Sequence, residues 1–306
     1  MVLVPRTVRL GLIGVGRWGR VVLSTLSELE GVDVAYVAGR RPLVDVPLPA
    51  DRVLRDWRTL LTKPDLDGVL VCSSPETHAE IVCATLQQDK AVFVEKPLAV
   101  TVAEASRILE LARHRSGVVH VDHIDLFNPA WHAVVQALKH CGPIRRLEAE
   151  FGGVVPAQHT VPPLWDWGPH PVALVLSLLG PPVTVAARRS PGAACGTELL
   201  RMELTFETGA SAEIVIGDGF PTRRRRVIVH ADAATLVYDD NGTEKAARCV
   251  GGRRETLPFA GVRPLTAALR RFVAAIHSGA PDVDDVELGL DVVRLLESVD
   301  SMQPGK

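Results

Sequence analysis

The chain has 306 residues, enough for two domains with full cores. Hydrophobic residues make up 47% and charged residues 23%, and the formal net charge is -2, which gives no electrostatic case for nucleic acid or a membrane surface. Five scattered cysteines (Cys72, Cys83, Cys141, Cys195, Cys249) without a C-x-x-C pair imply reduced thiols; with no cleavable leader and no apolar run of spanning length, the expected location is the cytoplasm.

Val8–Ile13 reads as a strand that runs into Gly14-Val15-Gly16-Arg17-Trp18-Gly19, a G-x-G-x-x-G turn, and then a helical pattern to residue 29. Gly14 permits the tight turn, Gly16 lets backbone approach a pyrophosphate, and Gly19 allows close helix–sheet packing, while the helix N-terminus offers N–H donors and a positive dipole end. A second strand follows at Val32–Ala38. An NAD site wants an acid at its tip for the ribose 2′-OH, but the chain reads Gly39-Arg40-Arg41, and Asp33 stands too early. Two arginines suit a 2′-phosphate, so NADP(H) is the expected cofactor, with NAD(H) the alternative.

Strand and helix patterns then alternate. A short helix over 56–61 and a strand over 67–72 lead to Ser73-Ser74-Pro75, a cap followed by a proline at the first helical position, and a helix over 76–88. Ala91-Val92-Phe93-Val94 reads as a buried strand, and Glu95-Lys96-Pro97 follows at its carboxyl end, where ligands bind in open α/β sheets. Thr101-Val102-Ala103-Glu104 is a capping box opening a helix to about residue 115, and 118–121 is the last strand of this half. The alternation predicts a doubly wound parallel sheet.

Asn128-Pro129 opens another helix, to about residue 140, after which the texture turns β-rich. Strands are expected over 144–155, 183–188, 198–206, 211–216, 225–230 and 235–238, with turns at Thr208-Gly209 and Asn241-Gly242. Helices are expected over Pro169–Leu179, Pro264–Ser278 and 286–302. The predicted architecture is a dinucleotide-binding α/β domain over 1–122 and an α+β domain with a mostly antiparallel open sheet over 123–306. Asp166 and His170, four apart, share one face if their segment is helical, and a nearby carboxylate can hold a histidine in one tautomer.

Several motifs now combine. The 14–19 turn with Arg17-Trp18, Ser73-Ser74-Pro75-Glu76-Thr77-His78, Glu95-Lys96-Pro97, the 121–130 stretch Val-Asp-His-Ile-Asp-Leu-Phe-Asn-Pro-Ala and Trp165-Asp166-Trp167-Gly168-Pro169-His170 resemble, in order, the glucose–fructose oxidoreductase and inositol dehydrogenase (Gfo/Idh/MocA) family. The resemblance implies a Rossmann domain and hydride transfer between a nicotinamide cofactor and a hydroxyl or keto carbon of a sugar, nucleotide sugar or cyclitol. It implies cofactor contacts at Arg17, Trp18, Ser73, Ser74, Pro75, His78, Glu95 and Lys96 beside the glycines and Arg40 and Arg41. It also implies a catalytic set of Lys96, His170 and Asp166, substrate contacts at Lys96, His123, Trp165, Asp166 and His170, and a homo-oligomer, dimer or tetramer. Two positions depart from the family pattern: Leu126 stands where nucleotide-sugar members carry arginine, and Ala173 where many carry an acid.

Other signals are weaker. His120-x-Asp122-His123 gives no complete ligand set, so no metal is expected. The Arg223–226 run divides between two faces of a strand and reads as solvated or subunit-facing. A cofactor-retaining glycosidase and a non-catalytic dinucleotide sensor are the other readings compatible with this fold.

Overall fold

The computed structural model describes residues 6–40, 46–115, 117–153, 161–194, 196–281 and 283–302. Two units divide the chain: Met1–Asp122 with Leu265–Val293, and His123–Pro264 with Arg294–Lys306. The linear boundaries 1–122 and 123–306 therefore need a correction, because residues 265–293 return to the first unit. The physical reason is apolar cover for the first sheet, described below.

In the first unit, β1 (Val8–Ile13) leads into α1 (Arg17–Ser27) and β2 (Val32–Ala38). On α1, buried Val22, Leu23 and Leu26 recur at helical spacing and turn one face to the sheet. A two-residue strand, β3 (Val53–Leu54), precedes α2 (Trp57–Leu61), whose N-cap Asp56 accepts a hydrogen bond from the Arg58 N–H at 3.0 Å. Then come β4 (Gly68–Val71), a 3-10 turn over Pro75–Thr77, α3 (His78–Gln87), β5 (Ala91–Glu95), α4 (Val102–Arg115) and β6 (Val119–Asp122). The Glu104 N–H donates to Thr101 Oγ1 at 3.2 Å, the cap expected of that sequence.

The six strands pair in parallel in the order β3-β2-β1-β4-β5-β6. Val69, Leu70, Val71, Val92, Phe93 and Val94 are fully buried, as strands covered on both faces require. Each such side chain contributes roughly 1.5–3 kcal/mol relative to exposure.

The second unit opens with a 3-10 turn over Ile124–Phe127 and α5 (Pro129–Leu138), capped by Asn128 Oδ1, which accepts from the Ala130 N–H at 3.0 Å. Next are β7 (Ile144–Gly152), α6 (Pro163–Trp167) and α7 (Pro169–Leu179). The expected extension of β7 through Val154 and Val155 lies outside the described residues, as do Arg41 and Cys195. The remaining strands are β8 (Thr184–Pro191), β9 (Glu198–Thr205), β10 (Ser211–Gly217), β11 (Arg224–Ala231), β12 (Thr235–Asp239), β13 (Ala246–Val250) and β14 (Arg253–Thr256). They form one sheet in the order β14-β13-β12-β11-β7-β10-β9-β8, antiparallel except between β7 and β10. Phe151 on β7 is the register partner of Arg225 on β11.

Gly168 joins α6 to α7 and has no room for a side chain. A Cβ there would lie 2.2 Å from the Leu164 carbonyl oxygen and 2.7 Å from Leu296 Cδ2. Gly168→Ala should therefore destabilise the protein by about 1–3 kcal/mol, the usual range for overpacking, read as a lower urea midpoint with the slope unchanged. A midpoint equal to the parent's would show that the junction can relax.

The chain closes with α8 (Pro264–Ser278) and α9 (Asp284–Ser301). Phe272 on α8 packs edge-on to Phe93 with centroids 5.7 Å apart, and a Cβ on Gly68 would meet both Phe272 and Ile276 at 3.2 Å. Buried His120 on β6 stacks on Phe93, and its Nδ1 lies 2.7 Å from Asp285 Oδ2 at the start of α9; Arg271 on α8 donates to the same carboxylate at 3.0 Å. Within the described residues no helix is long and apolar enough to cross a membrane.

Candidate active site

The glycine turn explains itself atom by atom. Gly14 has φ +93, and a Cβ there would stand 2.5 Å from the Cys72 backbone; one on Gly19 would stand 2.0 Å from the Gly14 carbonyl oxygen. A Cβ on Gly16, the N-cap of α1, would meet no protein atom within 4 Å, so the bare backbone borders open space. That space is a groove of about 620 Å³ lined by Gly14, Gly16, Arg17, Trp18, Ser73 and Ser74 together with Gly39 and Arg40. N–H donors at a helix start beside a cradle that a Cβ would fill fit the diphosphate of a dinucleotide.

Two further arginines reach this groove, Arg55 and Arg58. Sequence patterning missed them because β3 has only two residues. The Gly39 N–H donates to the Leu54 carbonyl at 3.1 Å, which brings Arg55 alongside the end of β2. The Arg58 guanidinium lies over the Trp57 ring, 4.3 Å from its centroid.

The residues after β4 and β5 are tied together. His78 was expected at the cofactor, yet its ring is buried, with Nδ1 2.8 Å from the Pro97 carbonyl and Nε2 3.1 Å from that of Ser73. The ring tethers the Ser73 and Pro97 loops, because both of its nitrogens face backbone. Burial pushes its pKa down against the pull of those two carbonyls. Pro75 begins the 3-10 turn at its first position. Glu95, at the end of β5, accepts from the Trp18 indole N–H and faces Asp122 across the strand pair. Burial raises the Glu95 pKa, opposed by hydrogen bonds from Asp122 and Trp18 and by the charge of Lys96. Lys96 follows at the strand's carboxyl end, half-buried.

In the second unit, His170 sits in the first turn of α7. Its Nδ1 lies 2.8 Å from Asp125 Oδ2, on the 3-10 turn after β6. The other Asp125 oxygen takes Arg225 Nη1 at 3.1 Å and the Tyr238 hydroxyl at 3.4 Å, and Arg225 Nη2 is 3.4 Å from His170 Nε2. The Phe151 ring stacks on the imidazole with centroids 6.4 Å apart. Burial alone would raise the pKa of Asp125, but the Arg225 charge and the bonds from His170 and Tyr238 outweigh it and hold it at about 2. Burial and that same carboxylate push the Tyr238 hydroxyl pKa up, so it stays protonated and donates.

Asp125, which helical spacing did not single out, stands at the Nδ1 side, since the 3-10 turn delivers its carboxylate directly beside α7. Asp166 lies half-buried on α6. Trp165, a candidate for ring stacking, donates its indole N–H to Asp300 at 3.2 Å. His123 is buried at the start of the 3-10 turn. The reading of the arginine run as solvated or subunit-facing fails for Arg225, which turns inward to Asp125 on the same strand face as buried Val227 and Val229.

A G-x-G-x-x-G turn at the head of a six-stranded parallel sheet, followed by a large open sheet carrying a histidine–carboxylate contact, defines a dinucleotide-binding oxidoreductase architecture. The oxidoreductase family with an NAD-binding Rossmann fold, Gfo/Idh/MocA, matches residues 8–123. A crystal structure of a protein from Magnetospirillum magnetotacticum MS-1, described only in general terms as an oxidoreductase, is 36% identical over 95% of this chain and 99% of that one, with a TM-score of 0.86. The chain belongs to the Gfo/Idh/MocA family. Inositol 2-dehydrogenase of Acidothermus cellulolyticus is 38% identical over 132 residues, 41% of this chain and 39% of that one. The dTDP-3,4-didehydro-2,6-dideoxy-alpha-D-glucose 3-reductase of Saccharopolyspora spinosa is 31% identical over 168 residues, 53% of this chain and 48% of that one. The chain thus aligns with about half or less of the length of these two curated relatives.

Proposed function

We propose that the protein is an NADP-dependent oxidoreductase moving a hydride between nicotinamide and a hydroxyl or keto carbon of a sugar or nucleotide sugar. The observation that carries the reading is the groove beside the glycine turn, with Arg40 at the end of β2 and Arg55 and Arg58 beyond it. The similarity to a nucleotide-sugar 3-reductase supports the substrate class. The similarity to an inositol dehydrogenase favours a second reading, a cyclitol dehydrogenase.

Bound nicotinamide supplies the hydride acceptor or donor. The chain's own residues handle the oxygen and its proton. Lys96 hydrogen-bonds the reacting oxygen as an ammonium and polarises it, and His170 exchanges the proton through Nε2, the nitrogen away from Asp125. In the oxidative direction His170 would take the O–H proton as hydride leaves the carbinol carbon for bound nicotinamide, and in reduction it would return that proton to the oxygen.

The test is a cofactor-coupled screen. NADPH oxidation with keto-sugar nucleotides supports the first reading, and NADP⁺ reduction with free cyclitols alone moves the protein to the second. Turnover of a glycoside without net cofactor change would overturn both.

Cofactor choice has its own test. Arg40→Ala should weaken NADP(H) by roughly 1–3 kcal/mol per lost charged hydrogen bond and leave NAD(H) little changed. Equal affinity of the parent protein for the two cofactors, measured by titration of intrinsic fluorescence, would end the NADP assignment.

A further inference from the structure

The Asp125 carboxylate and the His170 imidazole are bridged by a third group that no sequence motif marked. Arg225 Nη1 is 3.1 Å from Asp125 Oδ1, and its Nη2 is 3.4 Å from His170 Nε2. The guanidinium lies over Phe151, 6.0 Å from the ring centroid, with its side chain 15% exposed. It is thus held by β7, by the 3-10 turn and by its own strand. Arginine has no acceptor and does not lose its proton in proteins. A guanidinium N–H aimed at an imidazole nitrogen therefore requires a lone pair on that nitrogen.

We infer that Arg225 is a positioning residue that fixes the resting state of His170: neutral, with its proton on Nδ1 toward Asp125 and a lone pair on Nε2. This rests on the proposed role of His170 as the proton-exchanging group and adds to it a polarity. The side chain enters the reaction as a proton acceptor, suited to taking the O–H proton as hydride leaves the carbinol carbon. The contact from Nη2 is long, so a substrate hydroxyl can replace it at Nε2 without disturbing the shorter bond to Asp125.

Among the described contacts, the charged and titratable groups at this cluster are Asp125 from the 3-10 turn, Arg225 from β11 and Tyr238 from β12; β7 contributes the Phe151 ring. Tyr238 stays protonated and donates to Asp125, so it does not alter the balance near neutral pH. The contest is between Asp125, which favours the imidazolium, and Arg225, which disfavours it. Removing the cation has one sign. Asp125 keeps its charge on the Nδ1 side, the guanidinium no longer opposes a proton on Nε2, and the imidazole pKa rises.

The experiment reads the ring directly, without substrate. Long-range ¹H–¹⁵N spectra of ¹⁵N-histidine-labelled full-length protein are titrated from pH 5 to 9, with His170 assigned by its loss in His170→Gln. The parent should show a neutral Nδ1–H tautomer at pH 7. Arg225→Met should raise the His170 pKa by about one pH unit or more, and Arg225→Lys, which keeps the charge but not the fork, should fall between. If Arg225→Met unfolds, the parent's tautomer and the Arg225→Lys titration still decide. An imidazolium or an Nε2–H tautomer in the parent at pH 7 overturns the inference, and so does an unchanged pKa in the folded Arg225 variants. Failure of the functional reading is a different result: hydride transfer that survives His170→Ala whatever the ring's pKa.

Discussion

His170→Ala and Lys96→Ala should each slow the chemical step by about 10²–10⁴-fold, the usual contribution of one positioned acid–base group. The two losses have different origins. Without His170 the proton on the reacting oxygen has no carrier, and the Asp125–Arg225 pair remains as an ion pair with nothing to orient. Without Lys96 the oxygen loses its polarising ammonium, and Glu95 loses the positive charge that favours its ionised form. The diphosphate cradle at the glycine turn is untouched by either change, so dinucleotide affinity should be largely kept in both variants. Single-turnover hydride transfer with saturating cofactor, followed at 340 nm, separates chemistry from product release. Near-parental rates in both variants would show that the reaction uses other groups.

Asp125→Ala should destabilise the second unit by about 3–5 kcal/mol, because it leaves the Arg225 cation buried without its counter-ion. The effect should depend on pH in one direction. Asp125 has its pKa lowered from 3.8 to about 2 in the folded protein, so the native state favours the carboxylate. The stability it contributes is complete above about pH 4 and is lost as the pH falls toward about 2, worth on the order of 2 kcal/mol. Urea unfolding of parent and variant at pH 7 and again near pH 3 should show the gap narrowing on the acid side. Asp125→Asn should also reduce hydride transfer more than Asp166→Asn, since the Asp125 carboxylate lies 2.8 Å from His170 Nδ1. The reverse ranking would restore Asp166 as the orienting carboxylate.

The parts of this architecture that could be read from sequence are those where a local rule has one solution. Val8–Ile13, Val32–Ala38, Pro169–Leu179 and Pro264–Ser278 stand where periodicity and capping put them. The two-residue β3 is too short to show a period, and with it Arg55 and Arg58 went unseen. β14 is exposed along its whole length and β13 only partly buried, so neither has a clear apolar alternation. Asp125 stood inside a segment already singled out, but spacing on α6 and α7 favoured Asp166, and no helical rule reaches across to a preceding 3-10 turn. Arg225 had a readable signal: it shares strand parity with Val227 and Val229, which marks the buried face of β11. Charge composition argued for solvent, and a specific buried partner overrode it.

The return of α8 to the first sheet fixes an order of completion. A ribosome releases β1 to β6 first, but Phe272, which packs on Phe93, and Asp285, which meets His120, emerge only after all of His123–Pro264. Most of the second unit can close around its own core while the first still lacks part of its apolar cover. A nascent chain arrested at Pro264 would therefore carry every strand of the dinucleotide-binding sheet with Phe93 stripped of its Phe272 partner.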